Sequence, residues 1–96
     1  MPQINLYLIA YDISADRDRS KCSALLEDLG GRRINKSVFE VLMPAADAED
    51  LMLQLSELLD PTSDSVACYP VCHACYGRAW WWPEAPGPWP DAVRSV

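Results

Sequence analysis

Ninety-six residues, with 8 Lys and Arg against 14 Asp and Glu, carry a net charge of −6. A chain of this length makes one small domain that buries roughly 60–65% of the surface its unfolded form exposes. The composition is globular, half of it hydrophobic, which excludes a disordered chain; no run reaches the ~18 apolar residues of a membrane span, and the N-terminus lacks the pattern of a signal peptide.

A cytoplasmic location is therefore expected, with Cys22, Cys68, Cys72 and Cys75 mostly reduced. Residues 4–13 open the chain as a strand. Ile4, Leu6, Leu8 and Ala10 line one face, and Tyr7, Ile9, Tyr11 and Ile13 the other. Apolar character on both faces marks a central strand. The strand ends in a carboxylate, Asp12. Strand interiors disfavour Asp because it competes for backbone hydrogen bonds and resists desolvation.

A helix follows to about residue 29, capped by Ser14 or Asp16, with the stripe Cys22, Leu25, Leu26 and Leu29. Gly30 and Gly31 end it by supplying a left-handed position without a Cβ penalty. Residues 32–43 are extended, as two strands or one strand broken near Lys36. Pro44 suits the first turn of a second helix, whose stripe is Leu51, Met52, Leu55, Leu58 and Leu59. Asp60 and Pro61 stop it. Residues 65–72 form a last strand, and Pro70 within it points to an edge or a bulge.

The order β-α-β-β-α-β predicts an α+β ferredoxin-like sandwich, an antiparallel sheet with two helices on one face. Residues 1–76 form that domain and residues 77–96 a Trp/Pro-rich extension. Two helices cover one face of a sheet whose strands are apolar on both. The second face predicts a two-fold homodimer. The extension holds Trp80, Trp81, Trp82 and Trp89. Residues 79–82 read as an extra strand on the dimer partner, with packing on another protein or on its own domain as the alternatives.

The charge is unevenly spread. Residues 1–36 hold six basic and five acidic groups, residues 37–77 none and seven, residues 78–96 two and two. The local balance is thus +1, −7 and 0, and a local field decides whether phosphate is attracted. Arg17, Arg19, Arg32, Arg33 and Lys36 are the nucleic-acid contacts this predicts, because a guanidinium fork donates two parallel hydrogen bonds to phosphate.

A single histidine, His73, excludes a paired-His arrangement within one chain. Cys72 and Cys75 are half of a zinc site, and Cys68 and His73 are further ligands on paper only. A zinc-dependent interaction module, or a ligand-sensing domain of the same fold, is the alternative function. The preferred reading of the pair is reduced thiols buried near a strand end. Asp12 is either a helix cap or a ligand of Mg²⁺, which keeps several waters and takes one or two carboxylates. Two copies meeting at a dimer axis supply both carboxylates, and Glu40 is a further neighbour to test.

These residues resemble a known family, CRISPR-associated protein two, the small subunit of the spacer-acquisition machinery. The likeness is carried by Tyr7-Leu8-Ile9-Ala10-Tyr11-Asp12-Ile13-Ser14, then Arg17, Arg19 and Lys21. It continues through Gly31, Arg33-Ile34-Asn35, Ser37-Val38-Phe39-Glu40, Asp64-Ser65-Val66, Tyr69-Pro70-Val71-Cys72 and Cys75. It spans about residues 4–76. The resemblance implies a ferredoxin-like homodimer and Mg²⁺-dependent cleavage of RNA or DNA phosphodiesters, with Asp12 as metal ligand and catalytic residue at the dimer interface and Tyr11 and Phe39 in support. It also implies a scaffold that holds spacer DNA between integrase subunits. Asn35 stands where the family often has Gln, Pro44 replaces a polar residue, and the Trp/Pro extension has no counterpart.

Overall fold

Strand β1 (Ile4–Asp12) lies inside the sheet because both of its faces find apolar neighbours. The computed structural model describes residues 3–87. In chain order, α1 (Asp16–Asp28), β2 (Arg32–Asn35), β3 (Val38–Pro44), α2 (Ala45–Leu58), β4 (Ser65–Val71) and a one-turn α3 (His73–Tyr76) follow. The sheet order is β2-β3-β1-β4, with every neighbouring pair antiparallel. This is the ferredoxin-like arrangement that the element order predicts. The chain breaks between β2 and β3 at Lys36 and Ser37, and the register shifts between Arg33 and Asn35. Strand β4, which carries Pro70, is an edge.

The helices pack on the face that carries Tyr7, Ile9, Tyr11 and Ile13. Phe39, Val41 and Met43 join them from β3, Cys22 and Leu26 from α1, and Ala48, Leu51 and Leu55 from α2. Each large side chain buried this way contributes about 1.5–3 kcal/mol relative to exposure. Met52, Leu58 and Leu59 are only half-buried, and Leu29 is exposed beyond the last turn of α1.

Neither proposed side-chain cap holds α1. Ala15 is its N-cap residue, with no side-chain hydrogen bond, and Asp16 and Asp18 instead place charge at the positive end of the dipole. Gly30 takes φ +81°, the left-handed value expected after a helix. Gly31 has a different reason to be glycine. A Cβ there would lie 2.7 Å from the carbonyl oxygen of Leu26, at the close approach where its N–H bonds that oxygen. Pro44 ends β3 and precedes α2, one position before the first turn expected for it.

The opposite sheet face carries Leu6, Leu8, Ala10, Leu42, Val71 and Tyr69 by register. The chain's own C-terminal segment reaches this face: Glu40 stands opposite Leu8 and Arg32, Arg32 donates to the Gly87 carbonyl, and Glu40 accepts from the Tyr76 hydroxyl. Trp81 packs edge-on against Tyr76 at 6.4 Å, whereas Trp80 and Trp82 are exposed. Residues 79–82 are irregular in the single chain. Trp89 lies outside the described residues. Among the described residues, no helix is long and apolar enough to cross a membrane.

Candidate functional site

The end of β1 is held from two sides. Arg19, one turn into α1, donates to the carbonyl of Ile13 at 2.9 Å and pairs with Asp16. From the other side, Asp64 accepts from the N–H of Ser14 at 3.0 Å and from the N–H of Asp60 at 2.9 Å. Ser14 therefore spends its polar groups on the α2–β4 loop, its hydroxyl donating to the Ser63 carbonyl, and caps nothing. The two N–H donors hold the Asp64 carboxyl below its ordinary range. Such a group stabilises the fold fully above its unfolded pKa and loses that contribution as pH falls through its lower folded value. Low-pH unfolding of Asp64→Asn, followed by circular dichroism, should thus show less stability than the parent at neutral pH and a smaller difference below the ordinary carboxyl value of 3.8.

Asp12 is exposed at this strand end, opposite Ser65 and on the sheet face away from α1 and α2. It lines a cleft of about 810 Å³ together with Tyr11, Arg19, Arg33, Lys36 and Ser37. Three of the five basic residues predicted from the sequence meet there. Arg33 is positioned by its surroundings. Its guanidinium lies 4.8 Å from the centre of the Phe39 ring, and it donates to the Lys36 carbonyl at 2.5 Å and to Tyr11 Oη at 3.3 Å. The Tyr11 hydroxyl in turn donates to the same carbonyl at 3.4 Å. Tyr11 and Phe39 thus set the β2–β3 turn and the cation above it. A charge resting on an aromatic face keeps its remaining N–H groups available to an anion.

Arg17 and Arg32 stand apart from this cleft. Arg17 is exposed on α1 and does not line it. Arg32 Nε donates to Glu40 Oε1 at 2.9 Å, and its terminal nitrogens donate to Tyr76 Oη at 2.9 Å and to the Gly87 carbonyl at 2.5 Å. Glu40 is 3% exposed and also accepts from Tyr76 at 3.4 Å. Burial first, then the Glu40 charge, pushes the Tyr76 hydroxyl up. Glu40 is opposite Leu8, four residues before Asp12, so the structure does not bring the two carboxylates together. The Arg32–Glu40–Tyr76 cluster escaped the sequence reading. Its signal was a charged pair facing across a hairpin on an otherwise apolar face.

A divalent cation is tested by the donors that are present. The Asp12 side chain makes no hydrogen bond or ion pair with the described residues, so both carboxylate oxygens are available. Among the described residues, no three His, Cys, Asp or Glu side chains gather as a metal cage. One free carboxylate beside hydroxyls suits Mg²⁺, which binds through one or two carboxylates and keeps its waters. It does not suit zinc, which wants four closed ligands in a structural site. Cys72 and Cys75 are exposed rather than buried, because they begin α3 beyond the sheet edge.

The model for CRISPR associated protein Cas2 matches residues 5–79. The chain is 36% identical to CRISPR-associated endoribonuclease Cas2 3 of Synechocystis sp. over 84% of its length and 87% of that protein's. It is 35% identical to CRISPR-associated endoribonuclease Cas2 4 of Rhodospirillum rubrum over 78% of its length, and spans only 60% of that protein. Its fold matches a chain of the partial Cas6-RT-Cas1–Cas2 complex with a TM-score of 0.67, at 22% identity, over 90% of this chain and 98% of the other. The matched region contains the strand that ends in Asp12, Arg33 in β2 and Lys36 in the turn that follows, and the chain belongs to the CRISPR-associated Cas2 family.

Proposed function

We propose that this protein serves spacer acquisition as a homodimer that holds nucleic acid between integrase subunits, with Asp12 able to support metal-dependent phosphodiester cleavage. The observation that carries the reading is the cleft in which Asp12 stands beside Arg19, Arg33 and Lys36. Three cations around one carboxylate make a surface that attracts a phosphodiester and still offers a ligand for the cation that accompanies it. Arg33, fixed by Phe39 and Tyr11, binds and orients a phosphate; Lys36 adds a mobile point charge. Arg19 ties the end of β1 to α1 and so positions Asp12. When bound, Mg²⁺ supplies an activated water and stabilises charge on the phosphate. Asp12 is the residue that would hold it.

The second copy is supported by the apolar sheet face left by α1 and α2, where Tyr69 remains 58% exposed. The relatives' names as endoribonucleases support cleavage, and the Cas1–Cas2 assembly to which one fold neighbour belongs supports an integrase partner. RNA and DNA both carry the required phosphodiester.

Asp12→Asn separates the two roles. It should reduce Mg²⁺-dependent cleavage of single-stranded RNA and duplex DNA by at least ~100-fold, on the order of a lost charge-stabilising group. Dimerisation and duplex binding in EDTA should persist. Cleavage that survives in the purified variant removes Asp12 from catalysis, while loss of DNA binding in the parent removes the scaffold.

A further inference from the structure

Four cysteines fall into two classes that neither the cleft nor the sheet explains. Cys22 is buried in the core, and its thiol is pushed up to about 11 by desolvation. Cys68 is half-buried and shifted the same way for the same reason. Cys72 and Cys75 are both exposed, three residues apart, at the start of α3. Residues at i and i+3 on a helical turn face the same side. The backbone N–H of Cys75 donates to Cys72 Sγ at 3.2 Å, so the sulfur itself is the side-chain cap of the turn. Arg78 donates to Cys75 Sγ at 3.7 Å.

We propose that Cys72 and Cys75 form a redox-active dithiol that reacts with low-molecular-weight disulfides, with Cys72 as the attacking sulfur and Cys75 as the resolving one. Both sulfurs are exposed on one side of the turn, and the Cys75 N–H is aimed at that of Cys72. Hydrogen bonds from Cys75, its thiol first, also lower the Cys72 thiol from its ordinary value, and the thiolate is the nucleophile in exchange. The Cys72 thiolate attacks one sulfur of the disulfide. That S–S bond breaks, and the other sulfur leaves as a thiolate and takes a proton from water. Cys75 gives up its proton to water and attacks Cys72 Sγ, expelling the second small thiol. The two protein thiols lose two protons and two electrons, and the external disulfide is reduced to two thiols. Closing this ring ties the first turn of α3, the element that brings Tyr76 to Arg32 and Glu40.

The test uses the full chain, reduced and desalted, then exposed to oxidised glutathione at neutral pH and quenched with acid. Peptide mass analysis should find the peptide containing Cys72 and Cys75 lighter by two hydrogens, with Cys22 and Cys68 unmodified. Cys75→Ser should stop at a glutathione adduct on Cys72, and Cys72→Ser should react at least ~10-fold more slowly, in line with the dependence of exchange on thiolate. Serine is itself a good N-cap, so α3 can persist in the Cys72→Ser variant, as far-UV circular dichroism will show. The proposal is overturned if Cys72 reacts no faster than Cys68, if the adduct in the parent never resolves, or if zinc bound in stoichiometric amount blocks both sulfurs.

Discussion

Replacing Arg33 and Lys36 together with alanine should lower the slope of log affinity against log salt for duplex DNA by about 2 per cleft, one for each phosphate contact removed. Between 50 and 200 mM salt the parent should then lose about tenfold more affinity than the variant for each cleft that engages the duplex. Arg33 lies in β2 and Lys36 in the turn that follows it, and both line the cleft that contains Asp12. Arg33→Lys is a sharper probe of geometry. It keeps the charge but loses the planar fork and its fit over Phe39, so affinity should fall while the slope stays close to the parent's. Fluorescence anisotropy with a labelled duplex at several salt concentrations measures both quantities. An unchanged slope in the double variant means that the phosphates lie elsewhere.

Arg32→Ala should destabilise the fold by about 3–5 kcal/mol, the usual cost of breaking a buried ion pair by removing one member. The Glu40 side chain is 3% exposed and that of Arg32 is 26% exposed, at a separation of 2.9 Å. A loss of that size is a large share of the roughly 5–15 kcal/mol that keeps a small domain folded. Urea unfolding followed by tryptophan fluorescence reads it, and Trp81 on Tyr76 makes the same probe sensitive to release of the tail. The combined change Arg32→Met with Glu40→Leu should recover most of the loss, because an apolar pair satisfies the same face without unpaired charge. The salt slope for DNA should not change in Arg32→Ala, in contrast to the Arg33 and Lys36 pair. Together the two experiments divide the neighbouring arginines, one for the fold and one for phosphate.

That division was not visible from residue order. Arg32 and Arg33 are adjacent, equally basic and equally suited to phosphate. In β2 they point to opposite sides of the sheet. Arg32 falls on the face with Glu40, and Arg33 falls over Phe39 at the edge of the cleft. The role of Asp64 was hidden for a related reason. Its partner Ser14 is fifty residues away in the chain, and only the folding of two loops against each other joins them. Ser14 looked like a helix cap because local spacing favours one, and the tertiary contact won. The thiols of Cys72 and Cys75 looked buried because they follow a strand, yet the strand is an edge and the chain turns outward there.

The sequence by itself determined the element order, the central place of the first strand, the extended character of residues 32–43 and the carboxylate at the end of β1. These follow from local physics: alternation, helical spacing, glycine and proline geometry. They were enough to imply the fold and, with the motif likeness, the family. Tertiary structure alone decided which cations stand beside Asp12, which arginine is consumed by a buried carboxylate, and which two of the four cysteines are open to chemistry. Those outcomes depend on register and on contacts between distant segments. A one-residue step along a strand reverses the face, and nothing in the local sequence says which face a partner from far along the chain will meet.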